Sequence, residues 1–266
     1  MKDKILSFLP KEHPWQNSVL YFDSIDSTNS HAKVLAQAGA PHGTVLIADH
    51  QTGGRGRMGR SFSSPAGSGI YMTVILRPDC LPEALMHLTC ATAVAVCDAT
   101  EDAAGFRPGI KWTNDLVSGG KKLGGILTEL SIDFATGKVQ YAIIGVGINC
   151  SQQTPDFPPE IRDMAASLTM VTGKPVDRAK MAAAMILRLS QMSDILLTDK
   201  AGLMASYEKD CITVGQEIVL LRGEERSYGK AIGIDSEGGL IVVFRDGTTK
   251  TVTSGEVSVR GMYGYV

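Results

Sequence analysis

The spacing of apolar residues predicts alternating strands and helices over the first two hundred positions. Short apolar runs rich in β-branched residues are typical of buried strands. Such runs lie at residues 44–49, 70–76, 110–113, 126–132 and 139–148. A polar stretch containing a glycine separates the last two, so we predict that they pair with each other.

Three segments have the spacing of helices. Residues 27–29 can cap a helix that ends at Gly39 in a left-handed conformation. Its predicted apolar stripe consists of Val34, Leu35 and Ala38. Pro82 is predicted to open a second helix that runs to about Asp102 and is buried, because it is apolar almost all round.

The third predicted helix is capped by Asp177. Its apolar positions are Met181, Met185, Leu189, Met192 and Leu196. A methionine stripe at this spacing is far more often core packing than a cofactor site, so we assign it to the core.

The pattern changes near residue 213. Short predicted strands then follow at residues 217–222, 226–234, 240–245 and 248–253, with the hairpin signals Gly238-Gly239 and Asp246-Gly247 between them. We therefore predict an α+β domain over residues 1–213, followed by a small all-β, SH3-like barrel over residues 214–266.

Composition and charge narrow the possible classes of function. The 266 residues are 44% hydrophobic and 20% charged, and the net charge of −2 does not direct the chain to nucleic acid or to an acidic membrane. No apolar run approaches the roughly 20 residues of a membrane span, and the first residues are unlike a signal peptide. The five cysteines form no C-x-x-C pair, which favours reduced, buried thiols. We expect a soluble, cytoplasmic protein.

The most informative segment is a loop of glycines and arginines at residues 51–61. It places Arg55, Arg57 and Arg60 within six positions. Glycines let the backbone approach a ligand closely, and guanidinium groups bind phosphate or carboxylate through paired hydrogen bonds. The loop therefore predicts an anionic ligand, although a solvated basic loop or a nucleic-acid arm would have the same composition.

Three familiar motifs match this loop and fail in context. The dinucleotide fingerprint and the P-loop both require a helix directly afterwards, but serines, a proline and glycines follow here. A kinase glycine loop requires H-R-D and D-F-G motifs, which the chain lacks.

Two later segments combine lysines with polar groups. Lys111, Asn114 and Asp115 lie at the end of a predicted strand, and a carboxylate near a phosphate site can hold Mg²⁺. Lys121 and Lys122 lie beside flexible glycines. Either segment alone could be an ordinary turn.

Taken in order, these motifs resemble the biotin protein ligase family. They read Gly-Arg-Gly-Arg-x-Gly-Arg, Lys-Trp-x-Asn-Asp, Lys-Leu-x-Gly-Ile-Leu-x-Glu and Gly-Val-Gly-Ile-Asn. Residues 26–29 match upstream, and residues 256–260 resemble the family's C-terminal domain. The resemblance runs from about residue 22 to about residue 261.

The resemblance implies a mixed-sheet, class II synthetase-like catalytic domain followed by an SH3-like domain. It implies biotin contacts from Ser27, Thr28, Asn29, Gln51, Arg55, Gly56, Arg57, Lys122 and Gly125. It implies nucleotide contacts from Arg57, Arg60, Phe62, Lys111, Asn114, Asn149 and Arg260, with Asp115 on the metal side. Arg55, Arg57, Lys111 and Lys122 would be the catalytic cations.

Two residues depart from the family pattern. Phe62 stands where the family often has tryptophan, so it can stack on adenine but lacks the indole N–H donor. Thr113 stands where the family often has proline. Only about twenty residues precede the matching region, from which we expect the enzyme without a DNA-binding domain.

The expected reaction has two steps and uses ATP, Mg²⁺ and biotin. Biotin is first converted to biotinyl-AMP under a loop, residues 53–62, that closes and excludes water. A lysine of a biotin carboxyl carrier protein then attacks, and no cysteine acts as a nucleophile. The family that the sequence resembles includes monomers and dimers, so the sequence leaves open whether this protein forms a homodimer.

Three alternatives stay open. A lipoate or octanoyl protein ligase shares the domain fold, and calorimetry with biotin and with lipoate would separate the two. A nucleic-acid-binding module would lose affinity steeply with salt, but the near-neutral charge and the 6% of aromatic residues argue against it. A catalytically idle biotin-binding homologue is opposed by the intact lysines and arginines.

Overall fold

The computed structural model describes residues 1–222, 224–253 and 255–259. The helices are α1 (Lys2–Ser7), α2 (Thr28–Gln37), α3 (Leu88–Ala104), α4 (Leu168–Thr172), α5 (Arg178–Ile195) and α6 (Lys200–Asp210). The strands of the first sheet are β1 (Val19–Ile25), β2 (Thr44–Gln51), β3 (Gly69–Leu76), β4 (Gly109–Lys111), β5 (Asp115–Ser118), β6 (Lys121–Ile132) and β7 (Val139–Asn149). The remaining strands are β8 (Glu217–Arg222), β9 (Glu225–Ile234), β10 (Leu240–Phe244), β11 (Thr249–Val252) and β12 (Glu256–Val259).

A seven-stranded mixed sheet forms the centre of the first part of the chain, in the order β1-β2-β3-β7-β6-β5-β4. The β1–β2 pair is parallel and the other pairs are antiparallel. Successive side chains of a strand point to opposite faces. On β2, Val45 and Ile47 accordingly join the large core, whereas Leu46 packs in a smaller cluster with Ala32 and Ala36 of α2.

A five-stranded antiparallel sheet follows, in the order β11-β10-β9-β8-β12. Gly238 and Gly247 have positive φ angles of 85° and 83° at its turns, as the hairpin signals predict. The buried side chains of this sheet join the same large core as α3 and α5. These members are Ile218, Leu220, Ala231, Leu240, Val242, Val252 and Val257. The α+β, mixed-sheet fold followed by a small all-β unit is confirmed.

Several predicted elements are confirmed. The predicted pair of strands exists as β6 and β7, and Asp177 caps α5 by accepting hydrogen bonds from the backbone N–H groups of Ala179 and Lys180. All five members of the methionine-rich stripe are at most 3% exposed, so they are core residues. Four of the five cysteines are buried, and Cys80 is half-buried.

Two helix predictions are wrong in detail. The predicted stripe of α2 is not its buried face, because Val34 is 60% exposed and Ala38 is also exposed. Thr28 and Asn29 point into the protein, and the buried face continues one and two turns later at Ala32 and Ala36.

The helix predicted to begin at Pro82 is interrupted. Pro82–Leu85 forms a 3-10 turn, and α3 begins only at Leu88. His87 lies between them with φ −83° and ψ 0°, and its ring Nε2 makes a 2.9 Å hydrogen bond with the Leu196 carbonyl oxygen. The later part is buried as predicted.

Six of the described elements were not predicted, namely α1, β1, β5, α4, α6 and β12. The exposed and buried positions of β1 do not alternate, and β5 has only four residues. Within the described residues, none of the helices is long and apolar enough to cross a membrane.

Candidate active site

Two adjoining cavities open beside the glycine-arginine loop. The larger has a volume of about 270 Å³ and the smaller about 50 Å³. Both are lined by Gly56, Arg57, Phe62, Asn114 and Lys122. These shared residues make the boundary between the cavities the place where two bound molecules would meet.

The smaller cavity is built on the start of α2 and the end of β2. Ser27 caps α2 by accepting a hydrogen bond from the Ser30 amide. The backbone N–H and the hydroxyl of Thr28 both donate to Gln51 Oε1, at 2.9 and 3.0 Å. Gln51 Nε2 in turn donates to Ser64 Oγ at 3.0 Å. These hydrogen bonds fix the orientation of the Gln51 amide before a ligand binds.

Asn29 is held from two sides at the floor of this cavity. Its Nδ2 donates to Glu129 Oε2 at 3.0 Å, and its Oδ1 accepts from Thr73 Oγ1 at 2.7 Å. Glu129 also pairs with Lys33 at 2.6 Å. A Cβ atom at Gly145 would lie 2.1 Å from Asn29 Oδ1, so this position of β7 accommodates only glycine. Asn29 therefore shapes the floor with both its amide atoms already engaged.

The glycine-arginine loop folds back on itself. The Phe62 amide donates to the Gly54 carbonyl at 2.9 Å, and the Gly56 amide donates to the Arg60 carbonyl at 2.7 Å. A Cβ atom at Gly54 would lie 2.4 Å from the Phe62 carbonyl oxygen, which explains the glycine there by close approach. As expected, a helix does not follow the loop.

The loop and the Lys-Trp-x-Asn-Asp segment meet through Arg57. Its Nη1 donates to Asn114 Oδ1 at 2.8 Å and to Thr113 Oγ1 at 3.2 Å. Asn114 is itself fixed, because its Nδ2 donates to the Ile126 carbonyl at 3.0 Å. These contacts hold the Arg57 guanidinium at the boundary between the two cavities.

Lys122 reaches the same boundary from β6. Its Nζ lies 2.6 Å from Asp115 Oδ1, the two side chains being 35% and 22% exposed. The pair is formed across neighbouring strands, since Asp115 is in register with Gly125. A Cβ atom at Gly125 would lie 3.3 Å from Lys122 Nζ, so glycine leaves room for the lysine to cross the strand.

Phe62 lies over bare backbone of β7. A Cβ atom at Gly147 would lie 2.5 Å from its ring. The ring also makes an edge contact with Tyr71, with 6.3 Å between ring centroids. An aromatic face is thus presented at the cavity boundary.

The larger cavity has an apolar wall that sequence reasoning missed. Phe157, Ile161 and Met164 come from the irregular segment after β7, and Val257 comes from β12. In the sequence these positions are a few apolar residues among prolines and charged residues, a pattern that is typical of an ordinary loop. Asn149, at the end of β7, donates to the Ala166 carbonyl at 3.0 Å and accepts from Gln152.

The structure brings together fifteen of the sixteen predicted site residues. Those lining one or both cavities are Ser27, Thr28, Asn29, Gln51, Arg55, Gly56, Arg57, Arg60, Phe62, Lys111, Asn114, Asp115, Lys122, Gly125 and Asn149. The sixteenth, Arg260, lies outside the described residues. Glu129, Thr73 and Trp112 support the site, and no role was predicted for them, because their partners are distant in sequence.

The described part of the site offers few side chains that could bind a metal ion. The described residues contain no group of three or more histidine, cysteine or carboxylate side chains placed to hold an ion. Among the described residues, Asp115 is the single carboxylate that lines the larger cavity. Mg²⁺ is commonly held by one or two carboxylates together with the phosphates of its substrate, so Asp115 fits an ion that arrives with a nucleotide.

Comparisons with known proteins first define the class. The model of the Biotin/lipoate A/B protein ligase family matches residues 21–149, and that of the Biotin protein ligase C terminal domain matches residues 213–260. The structure resembles a biotin protein ligase from Aquifex aeolicus in complex with biotin and ATP, with a TM-score of 0.77 and 32% identity, over 91% of this chain and 98% of that one.

Curated relatives define the class more narrowly. The bifunctional ligase/repressor BirA of Bacillus spizizenii is 40% identical over 233 residues, which are 87% of this chain and 71% of the relative. The biotin–[acetyl-CoA-carboxylase] ligase of Mycobacterium tuberculosis is 33% identical over 237 residues, covering 87% and 85% of the two chains. The chain belongs to the biotin protein ligase family. This membership favours a biotin ligase over a lipoate ligase and over a nucleic-acid module.

Proposed function

We propose that this enzyme activates biotin with ATP to biotinyl-5′-AMP and transfers biotin to a lysine of a biotin carboxyl carrier protein of a biotin-dependent carboxylase, such as acetyl-CoA carboxylase. The observation that carries the proposal is the position of Arg57 and Lys122, which line both cavities. A carboxylate in one cavity and a phosphate in the other would both lie beside these cations.

In this proposal biotin occupies the smaller cavity. Its polar ring would be recognised by Thr28 and Gln51, whose orientations are fixed by hydrogen bonds. The residues assigned to biotin are Ser27, Thr28, Asn29, Gln51, Arg55, Gly56, Arg57, Lys122 and Gly125. Asn29 uses both Nδ2 hydrogens, on Glu129 and on the Leu127 carbonyl, so we assign Asn29 to the shape of the floor more than to direct hydrogen bonding. Gln51 Nε2 uses one of its two hydrogens, on Ser64, and can donate the other to a ligand.

The nucleotide occupies the larger cavity. Its apolar wall suits a base, and its cations suit phosphates. The residues assigned to the nucleotide are Arg57, Arg60, Phe62, Lys111, Asn114, Asn149 and Arg260. Asp115 would hold Mg²⁺ together with the phosphates, and the ion would supply additional positive charge there.

The chemistry of the first step is the joining of two anions. An oxygen of the biotin carboxylate attacks the α-phosphorus of ATP, and pyrophosphate leaves. Arg55, Arg57, Lys111 and Lys122 reduce the repulsion and stabilise the charge that develops in the transition state. In the second step the carrier lysine amine attacks the acyl carbon, AMP leaves with the electron pair of the broken bond, and the amine nitrogen loses a proton to solvent.

The setting of the enzyme is also part of the proposal. We place it in the cytoplasm, which agrees with five cysteines that form no disulfide. We assign the catalytic domain to residues 1–213 and the C-terminal domain to residues 214–266. A homodimer through the edge strand β1 is an arrangement that analytical ultracentrifugation can test.

One experiment tests the function directly. The protein is incubated with ATP, Mg²⁺, biotin and a carrier domain, and the carrier is analysed by mass spectrometry. We expect a mass increase of one biotinyl group on one lysine. Omission of ATP, or replacement of biotin by lipoate, should abolish it. Modification by lipoate in place of biotin would contradict the proposal.

A further inference from the structure

Trp112 links the site to the C-terminal sheet. It lies between Lys111 and Asn114 and, like them, lines the larger cavity, although it is only 4% exposed. Its indole Nε1 donates a 2.9 Å hydrogen bond to the carbonyl oxygen of Gly238. Gly238 belongs to the turn between β9 and β10, so one side chain of the active-site segment is bonded directly to the other sheet.

The backbone around Trp112 is held by the chain that leads into that sheet. The Trp112 amide donates to Thr213 Oγ1 at 3.0 Å, and the Tyr207 hydroxyl donates to the Thr113 carbonyl at 3.0 Å. The Ile212 amide donates to the Ile110 carbonyl at 2.9 Å. The active-site segment thus has anchors on both its backbone and its side chain.

The turn at Gly238 is itself docked closely. A Cβ atom at Gly238 would lie 2.6 Å from the Cys90 sulfur, so the turn approaches α3 as nearly as a glycine permits. Glu237 forms an ion pair with Lys200 of α6. On the adjoining strand, the Ile234 amide donates to Glu208 Oε1 at 3.1 Å. The position of the Gly238 carbonyl is therefore determined by the docking of the two parts.

We propose that Trp112 is a positioning residue, which transmits the docking of the turn at Gly238 to Lys111 and Asn114 on the nucleotide side of the site. The inference rests on the proposed function. It predicts that loosening this contact weakens the binding of ATP more than the binding of biotin. Thr28 and Gln51, which we assign to biotin, are instead held by hydrogen bonds to each other and to Ser64.

The first test is Trp112→Phe, which keeps a buried ring and removes the N–H donor. Steady-state pyrophosphate release gives KM for ATP and kcat, and titration calorimetry gives Kd for biotin. We expect KM for ATP to rise about three- to tenfold, as the loss of one hydrogen bond implies, with biotin Kd within about twofold of the unaltered protein. An unchanged KM for ATP, or an equal loss of biotin affinity, would overturn the proposal.

A second variant approaches the same contact from outside the cavities. Lys200→Met removes the ion pair with Glu237, and we expect KM for ATP to rise about twofold, because partly exposed ion pairs contribute little. Lys138→Met is the matched control, since it removes an exposed ion pair with Asp79 in another part of the molecule and should leave KM unchanged. If Trp112→Phe does not fold, Lys200→Met decides, and a KM equal to that of the control overturns the proposal.

Failure of this inference is distinguishable from failure of the proposed function. If the unaltered protein releases no pyrophosphate with ATP and biotin, the proposed function is wrong. If it does so and the two variants retain its KM for ATP, only the role of Trp112 is wrong.

Discussion

Arg57 and Lys122 are both oriented by residues 113–115. Arg57 is bonded to Thr113 and Asn114, and Lys122 is paired with Asp115. A short, well-anchored segment therefore holds two cations from separate elements at the cavity boundary. Cations that are already oriented stabilise developing negative charge without the cost of reorganisation.

The first prediction at this scale concerns Arg57→Ala. We expect adenylation to slow by about 10²- to 10³-fold, because one preorganised donor to developing charge is lost, and biotinyl-AMP to leak into solution, because the loop loses its bond to Asn114. Quenched-flow measurement of pyrophosphate and chromatography of free biotinyl-AMP check both effects.

Arg226→Ala is the control, since Arg226 is exposed on β9 and lines neither cavity. A variant Arg57→Ala with normal turnover and full retention of the intermediate would refute the role assigned to the loop.

Lys122→Ala gives a second prediction. We expect the burst of pyrophosphate release to fall by at least about 10²-fold, because the charge beside both reactants disappears. Lys122→Arg should recover less than full activity, since a planar fork cannot replace a point charge in the same space. A burst at the unaltered rate in Lys122→Ala would exclude the lysine from adenylation.

The sequence predicted these residues because each lies in a short motif of cations and glycines. Glu129 and Trp112 also lie in the quoted motifs, but the sequence predicted no site role for them, because their partners Asn29 and Gly238 lie about a hundred positions away. Contacts of that separation depend on sheet register and on docking, and single-sequence patterns contain little information about either.

Among the elements, α5 illustrates how a local signal and the core can agree. Asp177 caps it, and its apolar face packs in the large core. In α2, by contrast, the spacing of apolar residues predicted that Val34 is buried. The buried face instead contains the polar residues Thr28 and Asn29, which line the smaller cavity. Periodicity identifies a buried face only where that face is apolar.

The prediction for α5 concerns its cap. Asp177→Ala should lower the free energy of unfolding by about 1 kcal/mol, because the bonds to the amides of Ala179 and Lys180 are lost. Asp177→Asn retains a capping oxygen and should lose less. Urea unfolding at neutral pH measures both changes, and an Ala variant as stable as the Asn variant would contradict the assignment.

The same residue gives a pH dependence with a definite sign. The hydrogen bond from Lys4 holds the pKa of Asp177 below its ordinary value of 3.8. Its contribution to stability is therefore complete above pH 3.8 and is lost as the pH falls through the lower pKa of the folded state. The stability difference between the unaltered protein and Asp177→Asn should shrink below pH 3.8, and a difference that grows there would contradict the assignment.

At the scale of the whole molecule, the two sheets share one core. Side chains of β8 to β12 belong to the same buried cluster as those of α3, α5 and α6. The sequence predicted a change of character near residue 213, but it gave no indication that the second unit would pack so closely. Only the assembled structure shows that Gly238 touches Cys90.

A shared core predicts cooperative unfolding. Differential scanning calorimetry of the full chain should show a single transition, with equal calorimetric and van't Hoff enthalpies, because neither sheet can lose its packing without exposing the other. Two resolved transitions would show that the units unfold independently.

The pairing of Lys122 with Asp115 has a consequence for the end of each catalytic cycle. In the resting protein the ammonium group already has a neighbour of opposite charge. Under the proposed assignment, an arriving carboxylate has to displace this internal counterion, which moderates the affinity for the acid. Under the proposed assignment, biotin has no free carboxylate from the formation of biotinyl-AMP onward, and the aspartate can pair with the lysine again when the AMP phosphate has also left. The departure of AMP and the recovery of the internal ion pair would then be one and the same event.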